Sequence, residues 1–390
     1  MRILKNLLAA AAVAMFSSHA LAQEEIDIVK AGDPSKLVPL SISGYSGEVS
    51  SALRFDLEVM GFRVVAAEEA QYELRGKNAG NVEGTLTDRV AKKAMFAKAY
   101  TGGSARTQAH ALADDVAEAI LKTPGIAKSK IIFKGQTRGG KTQTAEIFMS
   151  DYDGRNPVQL TKDNVIVAAP DWDPERRLLF YTSYKSGYPD IYSHNIASGE
   201  RKVFARYPGL NTSAAISPDG TKVAMILSKG GSPDLYVSNV DGTGLRQLTK
   251  TREDEASPCW SPDGRTICFS SRMNERLSLY TVSAGGGEMR RLLTEGVTRP
   301  SEPDWSPDGK QIVFTSQMGS FQICVVPAGG GVATPLTEGE DPTWGANSRT
   351  VLFTRQARGR TILSLLDVPS KRVKDTAQSL GSCSQPSWGN

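Results

Sequence analysis

Trp260-Ser261-Pro262-Asp263-Gly264, followed by alternating Ile267 and Phe269 and by Ser270, is the stretch that decides the fold of this chain. Proline presets φ at the second position of a type I turn, and glycine takes the left-handed conformation at its end. Ile267 and Phe269 alternate as in a strand with one packed face. Leu279-Tyr280 marks a third strand, Gly285-Gly286-Gly287 the next hairpin, and Leu293-Thr294 the close of the unit. Each unit holds about four short strands, the content of one propeller blade.

The same landmarks recur. Ser217-Pro218-Asp219-Gly220 and Ser306-Pro307-Asp308-Gly309 repeat the turn, with degenerate copies at Asp173-Pro174-Glu175 and Gly345-Ala346-Asn347. The anchors before these turns are Trp172, Ile216, Trp260, Trp305, Trp344 and Trp388, spaced by 44, 44, 45, 39 and 44 residues, and they include all five tryptophans. A fixed period of this length with strand content is the signature of a β-propeller. Third-strand pairs fall at Ile191-Tyr192, Leu235-Tyr236, Leu279-Tyr280, Ile323-Cys324 and Ile362-Leu363. Closing pairs fall at Leu160-Thr161, Leu248-Thr249, Leu293-Thr294 and Leu336-Thr337. Thr161, Thr249 and Thr294 precede the next anchor by 11 residues and Thr337 precedes Trp344 by 7, which predicts one shortened inter-blade connection.

Trp388 stands two residues from the last, so its unit has a first strand and nothing after it. The missing strands lie at the other end of the repeats, at Ile131–Phe133, Glu146–Phe148 and Gln159–Thr161. One blade is therefore expected to combine both ends, which closes the ring and removes free sheet edges. Residues 131–390 make 260 residues, or six units, and the expected fold is mainly β: a six-bladed propeller preceded by a small α/β domain.

Residues 1–22 have the form of a secretory signal peptide, with Arg2 and Lys5, an apolar run from Leu7 to Phe16, and Ala20-Leu21-Ala22 as cleavage site. No cysteine follows that site to carry a lipid, and no other stretch approaches membrane-spanning length, so a soluble periplasmic protein without direct membrane insertion is expected. Removing the leader takes the formal charge from +4 to +2, because its only charged residues are Arg2 and Lys5; so balanced a chain does not favour nucleic acid as a partner. Residues 23–128 form the α/β domain and 129–390 the propeller, joined near 123–130. Val49, Leu53, Leu57 and Met60 predict a helix stopped at Gly61; Ala109, Leu112, Val116 and Ile120 predict a second over Thr107–Lys122, ended by Pro124-Gly125. Strands are predicted at Arg63–Ala66, Tyr72–Leu74, Val82–Leu86 and Ala94–Tyr100.

Catalytic parts are scarce. His19 leaves with the leader, His110 lies off the apolar stripe and is expected at the surface, and His194 is expected to pack in a third strand or face solvent. Gly44-Tyr45-Ser46-Gly47 only resembles a nucleophile elbow and precedes a helix. The glycine runs at 285–287 and 329–331 lack the Gly-Lys-Ser/Thr of a phosphate loop. Asp151-Tyr152-Asp153-Gly154 begins like a calcium loop, but Lys162 stands at the twelfth position, so a hairpin turn is expected. Glu253, Asp254 and Glu255 suggest a solvated loop or an acidic protein contact. Cys259 and Cys268 flank a turn on paired strands, where a disulfide would be strained, and Cys324 and Cys383 suit buried small apolar positions. No cofactor or metal is expected.

With these residues laid out, the chain closely resembles the TolB family, the periplasmic propeller proteins of the Tol-Pal cell-envelope system. The likeness rests on Ser150-Asp151-Tyr152-Asp153-Gly154, on the run from Ile216 through Leu227-Ser228-Lys229-Gly230-Gly231-Ser232 to Leu248-Thr249, and on Ala109-His110-Ala111-Leu112-Ala113-Asp114. Ile26-x-Ile28 with Gly32, and Leu37-Val38-Pro39-Leu40, resemble the family's opening strands. The resemblance implies a non-enzymatic adaptor, monomeric without its partners, that supports outer-membrane integrity and constriction at cell division. It implies contact with a TolA-like inner-membrane protein through Glu24, Glu25, Ile26, Asp27, Ile28, Val29 and Lys30, whose alternation also suits strand addition. It implies contact with a Pal-like peptidoglycan-associated lipoprotein on the propeller face away from the α/β domain. The inter-blade loops expected there carry Arg206, Tyr207 and Asn211; Arg252, Glu253, Asp254 and Glu255; Arg299, Ser301 and Glu302; and Glu340. The family commonly has a histidine near Leu210–Asn211, which this chain lacks.

Two other function classes fit a propeller. An enzyme acting on polysaccharide or peptide would need a histidine cluster or an attached hydrolase domain. A glycan binder would need exposed aromatics at the mouth, where Tyr207 is the main candidate in the inter-blade loops.

Overall fold

The computed structural model of the protein describes residues 36–136, 144–357, 359–377 and 379–389; the leader, the opening Ile26-x-Ile28 and the segment Glu24–Lys30 lie outside the described residues. The first body is a five-stranded sheet in the order β2-β1-β3-β4-β5, with β1 Val38–Ser43, β2 Phe62–Val64, β3 Tyr72–Lys77, β4 Val82–Asp88 and β5 Lys93–Tyr100. Helices α1 (Gly47–Val59) and α2 (Ala105–Leu121) pack on one face of it. Ser104 caps α2 by accepting the Thr107 N–H at 3.1 Å, and Lys122 ends it in the left-handed conformation. Leu53, Leu57 and Leu112 are fully buried between helices and sheet, each stabilising by about 1.5–3 kcal/mol.

His110 corrects its expected surface position: it is buried. Its helix has two buried faces. Ala109, Leu112, Ala113 and Val116 join the apolar core, while Arg106, His110 and Asp114, four residues apart, form a second buried stripe bonded to α1, the closing blade and the link at Ala127. An apolar periodicity marks only the first face.

The propeller comprises six four-stranded antiparallel sheets among the described residues. The Trp260 blade is typical, with strands Glu255–Trp260, Thr266–Met273, Arg276–Ser283 and Arg290–Arg291. Its turn is closed by the Gly264 N–H on the Ser261 carbonyl at 2.8 Å, and Ser261 Oγ donates to Asp263 at 2.5 Å while accepting the Thr266 N–H at 3.0 Å. Gly264 sits at φ +67°, which favours glycine. The closing blade orders Ser382–Ser387 against Lys130–Gln136, Glu146–Asp151 and Val158–Gln159, as the repeat accounting predicted. First strands of successive blades touch all around the ring, including Ser382–Ser387 against Val167–Asp173.

Every first strand carries the same irregularity. Three residues before each anchor, Ala169, Ser213, Ser257, Glu302, Asp341 and Gln385 have φ between 46° and 53°, each at a register shift against the second strand. These are β-bulges, in which two residues oppose one. The next residue is proline at 170, 258, 303, 342 and 386, and Ala214 in the Ile216 blade. Proline suits a bulge because it needs no partner for an N–H.

Side chains at and near the bulges stitch one blade to the next. Glu302 accepts the Asp341 N–H at 3.0 Å, Asp341 accepts the Gln385 N–H at 3.1 Å, and Gln385 accepts the Ala169 N–H at 3.1 Å. Ala169, Ser213 and Ser257 are too short to continue that series. Asp171 and Asp304, one residue before their anchors, accept the anchor N–H groups of the following blades, Ile216 at 2.8 Å and Trp344 at 2.7 Å.

The expected closing pair Leu293-Thr294 is one residue out of register. Leu160, Leu248 and Leu292 donate equivalent N–H bonds to Ile147, Leu235 and Leu279 at 2.8, 2.8 and 2.9 Å. Thr161 and Thr249 therefore correspond to Leu293, which is half exposed, and Thr294 instead pairs in parallel with Gly331. An extra residue in that connection produced the same 11-residue count with a different register. The shortened connection is present: Gly339 alone separates Thr334–Glu338 from Glu340–Trp344. A Cβ on Gly339 would meet Phe353 at 2.4 Å, so glycine is needed for the close approach. Cys259 and Cys268 are direct cross-strand partners, yet all four cysteines are buried and unbridged.

Candidate functional site

Strand alternation gives the ring two distinct faces. The Ser-Pro-Asp-Gly turns and the turns between third and fourth strands lie on one face; the hairpins between second and third strands and the inter-blade connections lie on the other. The α/β body occupies the first. Tyr152 and Asp153, from a third-to-fourth-strand turn, bond Asp56 and Arg106, and Arg349, from a first turn, packs at Gly61. Asp151–Gly154 is thus the expected hairpin turn, closed by the Gly154 N–H on Asp151 at 2.8 Å, but its tip also plugs into the other body. The second face, on which no part of the α/β body lies among the described residues, is the mouth.

The sequence candidates divide there by burial. Arg206, Arg252, Asp254 and Arg299 are exposed; Tyr207, Glu253, Ser301, Glu302 and Glu340 are half-buried. Asn211 and Glu255 are buried and belong to the frame. Asn211 accepts the Tyr207 N–H at 2.8 Å and donates to Tyr207 O and Pro189 O, holding its loop. Glu255 corrects the expected solvated cluster. It accepts the Leu235 N–H at 2.9 Å and the Thr249 hydroxyl, and burial lifts its pKa to about 7. Glu302 is committed to Thr315 at 2.6 Å and to Asp341.

Side chains missed in the sequence complete the mouth. Tyr184 and Tyr188 stand in one hairpin, Met318 and Phe321 at another, all exposed, with Tyr188 at 75%. Lys229, from the Ser228–Ser232 turn, lies 4.1 Å over the Tyr207 ring, a cation–π contact that leaves an aromatic under a positive charge. Arg206 donates to the buried Asp190 at 2.8 Å and keeps its outer face in solvent. The mouth therefore combines scattered arginines with exposed aromatics, the residue types that anchor protein interfaces. The two described histidines stay apart, His110 at the seam with the α/β body and His194 buried in the third strand of the Trp172 blade. Among the described residues no group of three or more His, Cys, Asp or Glu is placed to hold a metal ion.

Residues 117–390 match the family model described as the TolB beta propeller domain (PD40). The Tol-Pal system protein TolB of Bordetella parapertussis is 30% identical over 311 residues, spanning 78% of this chain and 69% of that protein. The chain belongs to the TolB propeller family. The Tol-Pal system protein TolB of Anaeromyxobacter sp. (strain K) is 28% identical over 300 residues, spanning 66% of this chain and 68% of that protein. The crystal structure of TolB from Acinetobacter baumannii is similar with a TM-score of 0.81 at 19% identity, over 91% of this chain and 97% of that one, a likeness of fold.

This TolB-family chain buries several carboxylates whose pKa values burial raises: Asp171 in the ring and Asp114 on α2 to about 6, and Asp304 and Asp341 in the ring to about 7. A raised folded-state value means the folded chain binds the proton more tightly than the unfolded chain, whose carboxylates titrate near pH 4. The contribution of these carboxylates to stability is therefore expected to fall as pH rises from about 4 to about 7, by up to about 1.4 kcal/mol per pH unit per group, and to level above. Urea unfolding at pH 5.5 and 8.0 checks this, with Asp304→Asn expected to flatten part of the slope while keeping an acceptor for the Trp344 N–H. Equal or greater stability at pH 8.0 refutes it.

Proposed function

We propose that this protein is a non-enzymatic periplasmic adaptor of the Tol-Pal cell-envelope system, binding a Pal-like lipoprotein at the open mouth of the propeller. The observation that carries the reading is the division of the ring: the α/β body covers one face, and the other presents Arg206, Tyr207, Arg252 and Arg299 with Tyr184, Tyr188 and Phe321 around the axis. The naming of the family's relatives as Tol-Pal system proteins supports it. Contact with a TolA-like protein is assigned to Glu24–Lys30, and the adaptor would serve outer-membrane integrity and constriction at division.

Capture of a purified Pal-like lipoprotein from the same organism tests the mouth. Tyr188→Ala with Arg252→Glu is expected to weaken capture at least about tenfold, since truncating a central aromatic anchor costs about 2 kcal/mol or more. Neither side chain is buried, so the unfolding midpoint should stay in place. Unchanged capture removes the mouth as the docking face. Deleting residues 24–30 should abolish TolA-like binding and leave Pal-like capture intact. The exposed mouth aromatics also give the glycan-binding reading a specific test. Saturable binding of peptidoglycan fragments that the same mouth variant abolishes, with no lipoprotein capture, would favour it.

A further inference from the structure

One buried carboxylate joins the α/β body to the propeller. Asp56 on α1 is fully buried; its Oδ2 meets His110 Nδ1 of α2 at 2.7 Å, and its Oδ1 accepts the Tyr152 hydroxyl of the closing blade at 2.5 Å. Tyr152 is fully buried too and stacks on Trp388, with ring centroids 6.2 Å apart, and Trp388 Nε1 donates to Ser129 at 2.7 Å. The joint thus rests on the blade that closes the ring.

The charges around it balance only while the Asp56–His110 pair holds one titratable proton. Arg106 of α2 pairs with Asp153 beside Tyr152, and Glu48 of α1 and Arg155 of the closing blade stand 3.8 Å from that pair. Asp114 of α2 is occupied by the Ala127 and Lys128 N–H groups. With His110 protonated, Asp56 has a counter-charge; with His110 neutral and Asp56 ionised, Asp56 is a buried carboxylate without one, which a region poor in water disfavours. His110 Nε2 has no partner among the described residues, so it is the Asp56 charge across the imidazole ring, and no second acceptor, that favours the protonated imidazole. A cleft of about 520 Å³, lined in part by Glu48, Ser104, Arg106, Arg155 and Asn156, opens beside the Arg106 edge of the cluster.

We propose that Asp56, His110 and Tyr152 form a pH-sensitive latch that holds the α/β body to the closing blade while His110 is protonated and loosens as that proton leaves. Burial pulls the imidazole pKa down, but the Asp56 hydrogen bond and charge outweigh it and leave His110 above its ordinary value; burial also raises Asp56. Both groups bind protons more tightly closed than open. The His110 contribution is therefore fully present below about pH 6.5 and is lost as pH rises through the lifted His110 value, while the Asp56 contribution already declines above about pH 4. In that window the opening constant grows by up to about tenfold per pH unit for one proton released.

Hydrogen exchange of the full chain from pH 6 to 9, each rate divided by the intrinsic rate at that pH, tests the latch. Protection in α1, α2 and the Tyr152 turn should fall by up to about tenfold per pH unit above pH 6.5, relative to the Trp260 blade as internal reference. In His110→Gln this extra slope should shrink to the part that Asp56 carries. In Tyr152→Phe protection should be lower throughout with the slope kept, which tests the latch even if the glutamine variant does not fold. A seam without extra slope in the native chain, an equal slope in His110→Gln, or loss of slope in Tyr152→Phe overturns the proposal.

Discussion

A chain ended at Leu380 is expected to lose the closed ring altogether. The removed segment supplies the first strand of the closing blade, paired to Lys130–Gln136 at Ser382↔Gln136, Cys383↔Gly135 and Ser387↔Ile132. It also removes the buried Trp388, its stacking on Tyr152, and Gln385, the acceptor for the Ala169 N–H. Two first strands would then face the gap, and Lys130–Gln136 would become a bare, largely apolar edge, a template for pairing with other chains. Burial of Trp388 alone is worth about 3–5 kcal/mol, a large part of the about 5–15 kcal/mol that stabilises a typical native domain. The expected result is an aggregating or dye-binding product without the native cooperative transition. A synthetic peptide of residues 381–390 should recover part of it by strand addition. A truncated monomer that unfolds at the native midpoint would show that the ring does not depend on this closure.

Trp344→Ala is expected to cost about 3–5 kcal/mol, the largest effect of a single anchor truncation. Trp344 is fully buried among Val313, Ile323, Val351, Phe353 and Leu366, so it fills the space between the Trp305 blade and its own. The connection before it is a single glycine, which leaves the backbone little freedom to collapse into the void. For a chain of this size the unfolding midpoint should drop by roughly 1–2 °C for each kcal/mol. Ile216→Ala should cost clearly less, because Ile216 is smaller and half-buried. Calorimetry on both variants checks the order; equal losses would mean that the anchors are interchangeable surface features rather than unequal core elements.

The repeat was legible because its parts are local. A turn needs proline and glycine at fixed offsets, a strand needs alternation, and both recur wherever the backbone repeats. The bulges were not read from the sequence; their signal, the proline at 170, 258, 303, 342 and 386, becomes meaningful only once Trp172, Trp260, Trp305, Trp344 and Trp388 are seen to end first strands. Leu293-Thr294 shows the limit of counting, since one inserted residue preserved the distance to Trp305 while moving the hydroxyl out of the position that Thr161 and Thr249 fill. Of the mouth, the inter-blade loops could be found in the chain. Tyr184, Tyr188 and Phe321 were missed because they sit in hairpins whose shared face follows from strand alternation, not from the repeat phrase.

By itself the sequence determined the blade, the number of blades and the blade shared between the two ends, because each depends on hydrogen-bonding and packing preferences of neighbouring residues. Only the tertiary structure decided which polar groups are free. Asn211 and Glu255 look like exposed loop residues but are consumed by the frame, and His110 looks like a surface histidine but is buried against Asp56 and Tyr152. The physical reason is the same in each case: a polar side chain is used up by a partner distant in the chain, and no local pattern records where that partner will lie.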